Sequence, residues 1–92
     1  MVCKKCLVGG RVQGVFYRGT AAHRARELGV RGYARNIADG RVEVLACGDA
    51  TAVQQFIDWL WIGSSAARVT SVEVADIVYD PAAALPDGFS TG

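Results

Sequence analysis

The residues from Gly9 to Gly19, GGRVQGVFYRG, place turn-forming glycines, two arginines and two adjacent aromatics between an apolar run and a helical pattern. A strand that passes through a glycine-bearing loop into a helix is a common way to build an anion site. Successive backbone N–H groups curl around the ligand, and the helix start adds a partial positive charge. Gly14 can take a positive φ or let a ligand approach closely. Arg18, just ahead of the helical pattern, can present a planar fork to two oxygens of one phosphate. Other phosphate loops do not fit: there is no G-K-[ST], and Gly9, Gly10 and Gly14 are not spaced as G-x-G-x-x-G. A surface loop with solvated arginines explains the same residues, and the stretch alone leaves both readings open.

Other chemistry-bearing residues have simpler explanations. Asn36 stands ahead of Asp39-Gly40 and can be a turn residue. His23 falls on the polar side of a helix, Arg11 on the strand side of the loop, and Trp59 and Trp61 read as partial core. Cys3 and Cys6 spell C-x-x-C, but in a strand-like run rather than at the helix start that a redox motif requires. A zinc site would need Cys3, Cys6, Cys47 and His23 to converge, and no second paired spacing supports it. No metal or cofactor is expected.

These residues are positioned by a regular order of elements. A first strand is expected over Val2 to Val12, with Cys6, Val8 and Val12 on one face and Lys5 and Arg11 on the other. GTAAHRARELG reads as a helix with Thr20 as N-cap and Gly29 beyond its end, burying Ala21, Ala25 and Leu28. VRGYARNI and RVEVLAC are two strands joined by an Asp39-Gly40 hairpin. Asp49 or Thr51 caps a second helix whose Val53, Phe56, Ile57 and Leu60 share one face. RVTSVEVADIVY is a fourth strand, DPAAALPDG a loop, and FSTG a fifth strand of uncertain extent. The order β-α-β-β-α-β predicts an α+β, ferredoxin-like split βαβ sandwich: an antiparallel sheet of four to five strands with two helices on one face.

The totals set bounds. Ninety-two residues make one domain, 1–92, and 51% apolar residues support a core. Ten Lys and Arg against nine Asp and Glu give a net charge of +1, which argues against bulk nucleic-acid binding. No stretch reaches the length of a membrane span, and a cytoplasmic monomer is expected.

The motifs then go further than composition. GRVQGVFYR, Gly10 to Arg18, closely resembles the acylphosphatase signature, G-R-V-Q-G-V followed by a variable residue, an aromatic and an arginine. GYARNIADGRVEV, Gly32 to Val44, is similar to that family's second motif, and the eighteen-residue step from Arg18 to Asn36 matches its pattern. GSSAARV, Gly63 to Val69, resembles the family's helix-to-strand loop with serines in place of prolines. Phe16 is bulky at the variable position, and Tyr17 replaces the commoner phenylalanine, adding a hydroxyl that needs a partner.

The resemblance implies a metal-free acylphosphatase that hydrolyses the carboxyl–phosphate bond of small acyl phosphates, with inorganic phosphate as product or inhibitor. Catalytic roles fall to Arg18, which would hold the phosphoryl group, and Asn36, which would orient the attacking water. Gln13, Gly14, Val15, Phe16 and Tyr17 would form the substrate-binding loop of backbone amides. A carboxylate leaving group, whose conjugate acid has a pKa of about 4, departs without a strong general acid, so so sparse a site is sufficient in kind. The same fold as a non-catalytic anion- or acyl-phosphate-binding module is the alternative. An RNA-binding module of the same architecture is disfavoured, because RVEVLAC carries no aromatic. In the resembling fold the first and third strands are antiparallel neighbours, bringing Cys3 towards Cys47 on the helix-free face. That placement leaves two outcomes open: a bridge between them under oxidising conditions, or two reduced thiols, the usual state in cytosol. Cys6 would face the helices.

Overall fold

The computed structural model describes residues 1–78 and 86–91. In chain order the elements are β1 (Val2–Arg11), α1 (Tyr17–Leu28), β2 (Arg31–Asn36), β3 (Val42–Gly48), α2 (Ala50–Leu60), β4 (Arg68–Ile77) and β5 (Phe89–Ser90). The five strands form one sheet in the order β4-β1-β3-β2-β5. Neighbouring β1, β2, β3 and β4 pair antiparallel, as expected. The short β5 instead runs parallel to β2, through Gly32 with Phe89 and Tyr33 with Ser90, so the sheet is mixed. Of the loop expected over 80–88, residues 80–85 lie outside the described residues, as does Tyr79 of the expected fourth strand.

Alternation decides which face is covered. Cys6, Val8, Ala34, Val42, Val44 and Ala46 bury one sheet face against Ala21, Ala25, Val53, Phe56 and Leu60 of the helices. Both helices thus lie over the same face. Helix α2 buries the expected stripe Val53, Phe56, Ile57 and Leu60, and the Asp49 carboxylate caps it by accepting from the Thr51 N–H at 3.2 Å. Trp59 packs against Tyr17 and Phe56. Trp61, expected in the partial core, is 52% exposed because the helix ends there and the chain turns away.

Helix α1 starts earlier than its sequence pattern implied. Phe16, not Thr20, is the N-cap, and Thr20 lies one turn inside with its hydroxyl donating to the Phe16 carbonyl at 2.8 Å. The C-terminus follows expectation, with Gly29 in the left-handed region at φ 72° and its N–H donating to the Arg26 carbonyl.

The cysteines take the places that strand pairing assigns. Cys3 and Cys47 are direct cross-strand partners with Cα atoms 4.1 Å apart, joined by a disulfide. Cys6 sits on the opposite face in the core, so the three cysteines do not converge. Burial pushes the Cys6 thiol up to about 11, which marks it as an unreactive packing residue. Among the described residues no helix is long and apolar enough to cross a membrane.

Candidate functional site

Between β1 and α1 the backbone makes two left-handed steps, at Gly14 with φ 75° and at Phe16 with φ 60°. A glycine takes the first step without strain, and nothing within 4 Å would meet a side chain there, so the loop is open above Gly14. The second step folds the chain directly into α1. The first N–H groups of a helix have no acceptor within it. Among the described residues no side chain caps them, and no acidic residue occupies the first turn. They remain free to meet an anion at the positive end of the helix.

A cavity of about 300 Å³ opens at this corner, lined by Val12, Gly14, Phe16, Tyr17, Arg18, Gly19 and Thr91. Arg18 is half-buried, and its guanidinium donates to the Thr91 carbonyl at 2.7 Å. One end of the fork is thereby fixed by the segment after β5, which limits how the rest can turn. Arg26 makes a similar bond to the Phe89 carbonyl at 2.8 Å, so two arginines of α1 hold the same C-terminal segment.

The remaining loop side chains anchor the loop. The Gln13 carboxamide donates to the carbonyls of Ile37 and Arg41, each at 2.9 Å, tying the loop to the turn between β2 and β3. Val15 is buried, and its carbonyl accepts from the Ser64 hydroxyl at 2.7 Å. Tyr17 is 1% exposed and donates its phenol to the Leu60 carbonyl at 2.7 Å. Burial, helped by the nearby Cys6, pushes the Tyr17 hydroxyl well above its ordinary range, so it stays neutral. Its hydroxyl thus has a partner in the core.

Asn36 ends β2 with its side chain exposed, and it is not among the residues lining the cavity. Its position nevertheless relates to the loop. Asn36 pairs with Val42, and Val42 pairs with Val8, so all three occupy one row across β2, β3 and β1. Direct partners share a face, and Val8 and Val42 point into the helix-side core. Asn36 therefore lies on the helix side of the sheet, at the end where β1 leaves for the loop. The Gln13 bonds to Ile37 and Arg41 fix that end to the loop itself.

His23 is 78% exposed on α1, 3.9 Å from Glu27, away from the lining residues. Sequence reasoning missed the contribution of Thr91, because a backbone carbonyl leaves no mark on residue type. It also missed the anchoring roles of Gln13 and Ser64, which depend on long-range proximity.

The family model described as Acylphosphatase matches residues 4–91 of the chain. An acylphosphatase of Halorhodospira halophila is 53% identical over 90 residues, spanning 96% of this chain and 91% of the relative. One from Nitrosococcus oceani is 49% identical over 73 residues, spanning 79% and 82% respectively. The crystal structure of acylphosphatase from Bacillus subtilis superposes with a TM-score of 0.91 at 33% identity, covering 100% of this chain and 99% of that one.

Proposed function

The chain belongs to the acylphosphatase family and is an acylphosphatase, and from that premise we propose how its residues divide the hydrolysis of an acyl phosphate. The phosphoryl dianion lies in the cavity between β1 and α1. The backbone N–H groups of Gln13, Gly14, Val15, Phe16 and Tyr17 supply donors, and Arg18 offers its guanidinium to the phosphoryl oxygens. The observation that carries this reading is a helix N-terminus with no capping side chain, opening into a cavity that Arg18 lines.

Asn36 orients a water for attack on phosphorus, acting from the end of β2 that Gln13 ties to the loop. A bond forms from the water oxygen to phosphorus. The bond from phosphorus to the acyl oxygen breaks, and the carboxylate leaves with the electron pair. Its conjugate acid has a pKa of about 4, so no side chain needs to protonate it. The water proton passes to a phosphoryl oxygen. Positioned donors for the developing oxygen charge supply most of the acceleration in such a transfer. Inorganic phosphate leaves as product and competes with substrate for the same donors.

Hydrolysis of acetyl phosphate by Arg18→Ala and Asn36→Ala tests these roles. Each is expected to lose about a hundredfold or more in kcat, the size of effect seen when one positioned donor is removed. The far-UV circular dichroism of both variants should match the parent. Turnover like that of the parent in either variant refutes the role given to that residue.

A further inference from the structure

We propose that the exposed ring of Phe16 is the platform for the acyl group of the substrate, so that the enzyme favours acyl phosphates with aromatic or extended apolar acyl groups. The proposal rests on the reading of the cavity as the acyl phosphate site.

The turn into α1 uses the backbone of Phe16, but two observations show that folding does not call for the aromatic side chain of this residue. It is the one non-glycine residue with positive φ among the described residues, at φ 60° and ψ 19°. A bulky side chain is rare in that region, where glycine or asparagine would make the same turn with less strain. Phe16 is also 88% exposed and lies outside the core, while Tyr17 beside it is buried. Strain of this kind tends to persist at functional sites, and Phe16 lines the cavity.

Elimination among the lining residues points the same way. Gly14 and Gly19 have no side chains, and Val12 and Tyr17 are each 1% exposed. That leaves the side chains of Phe16, Arg18 and Thr91. Arg18 is assigned to the phosphoryl group, and its guanidinium also donates to the Thr91 carbonyl. Phe16 is then the apolar surface left for the group on the other side of the scissile bond. A planar benzoyl group can stack on the ring or meet its edge, whereas an acetyl group offers one methyl.

Steady-state kinetics with benzoyl phosphate and acetyl phosphate test this in the parent, Phe16→Asn, Phe16→Gly, Phe16→Tyr and Ile62→Ser. Asparagine and glycine suit the left-handed conformation, so loss of the ring is separated from loss of the loop. In both, the ratio of kcat/KM for benzoyl phosphate to that for acetyl phosphate should fall about tenfold, the scale of one lost apolar contact. The fall should appear mainly in KM for benzoyl phosphate. Phe16→Tyr should keep the parent ratio. Ile62, 71% exposed on the turn after α2, reports general loss of surface hydrophobicity, and Ile62→Ser should keep the ratio too. An unchanged ratio in Phe16→Asn and Phe16→Gly, or an equal fall in Ile62→Ser, overturns the platform while leaving the hydrolase reading in place. A parent enzyme that turns over neither substrate overturns that reading and the platform with it.

Discussion

Gln13 links the two halves of the proposed site through its side chain. Both of its carboxamide hydrogens are engaged, one by the carbonyl of Ile37 and one by that of Arg41. Ile37 directly follows Asn36, so this bond fixes the loop against the strand end that carries the carboxamide. Gln13→Ala should therefore lower kcat on acetyl phosphate by about tenfold, because a misplaced group weakens a positioned attack steeply. Stability should fall by only about 1 kcal/mol, since the freed carbonyls are partly open to water. Urea unfolding with kinetics at matched folded fraction checks the pair; a stability loss with unchanged kcat would make Gln13 merely structural. At this scale the sequence placed a glycine in the loop, and its family resemblance pointed to Arg18 and Asn36, eighteen residues apart. Arg18, expected just ahead of the helix, lies in the first turn of α1. It did not show what Gln13, Ser64 and Tyr17 hold. Their partners are carbonyls 24, 49 and 43 residues away, and a carbonyl has no signature in residue identity.

Among the elements, periodicity made most of the fold legible, and its limits explain the misses. Strand alternation and the i, i+3, i+4, i+7 face of α2 persist over enough residues to be read directly. The start of α1 lies four residues before the expected Thr20 cap because its first turn is governed by the Phe16 backbone, not by a capping hydroxyl. The two residues of β5 are too few for any period, and their direction is set by tertiary partners. Phe89 is 4% exposed and meets Phe56 edge-on at 5.4 Å. Gly32 donates to the Gly88 carbonyl, and Arg26 and Arg18 bind the carbonyls of Phe89 and Thr91. This small element thus places Thr91, the next residue, whose carbonyl holds the arginine assigned to the phosphoryl group. Phe89→Ala should cost about 3 kcal/mol in stability, as for a buried aromatic replaced by alanine. It should also raise KM for acetyl phosphate several-fold by loosening Arg18. Chemical denaturation and steady-state kinetics read the two effects, and an unaltered KM in folded enzyme would show that Arg18 needs no support from β5.

Across the whole molecule, the cavity and the disulfide lie at opposite ends of β1. Cys3 stands at its start on the helix-free face, and the chain leaves Arg11 for the loop at its other end. At ~3.4 Å per residue those positions are roughly 27 Å apart. The bridge joins β1 to β3, two inner strands of the sheet, with a sequence separation of 44 that takes in the loop, α1, β2 and most of β3. By loop-closure entropy, a crosslink of that span stabilises the native state by about 4 kcal/mol. For a chain of this size each kcal/mol corresponds to about 4–8 °C in Tm, so reduction should lower Tm by about 15–30 °C. Cys47→Ala should shift Tm in the same direction without reductant. The cavity residues make no contact with either cysteine through the bonds that position them, so kcat on acetyl phosphate at 25 °C should be the same for oxidised and reduced enzyme. Thermal unfolding with and without dithiothreitol, paired with kinetics in both states, separates a crosslink that sets stability from one that controls the site. A Tm difference below about 3 °C would mean that the reduced chain is already held by its core. A change in kcat on reduction would mean that strain at one end of β1 reaches the loop at the other.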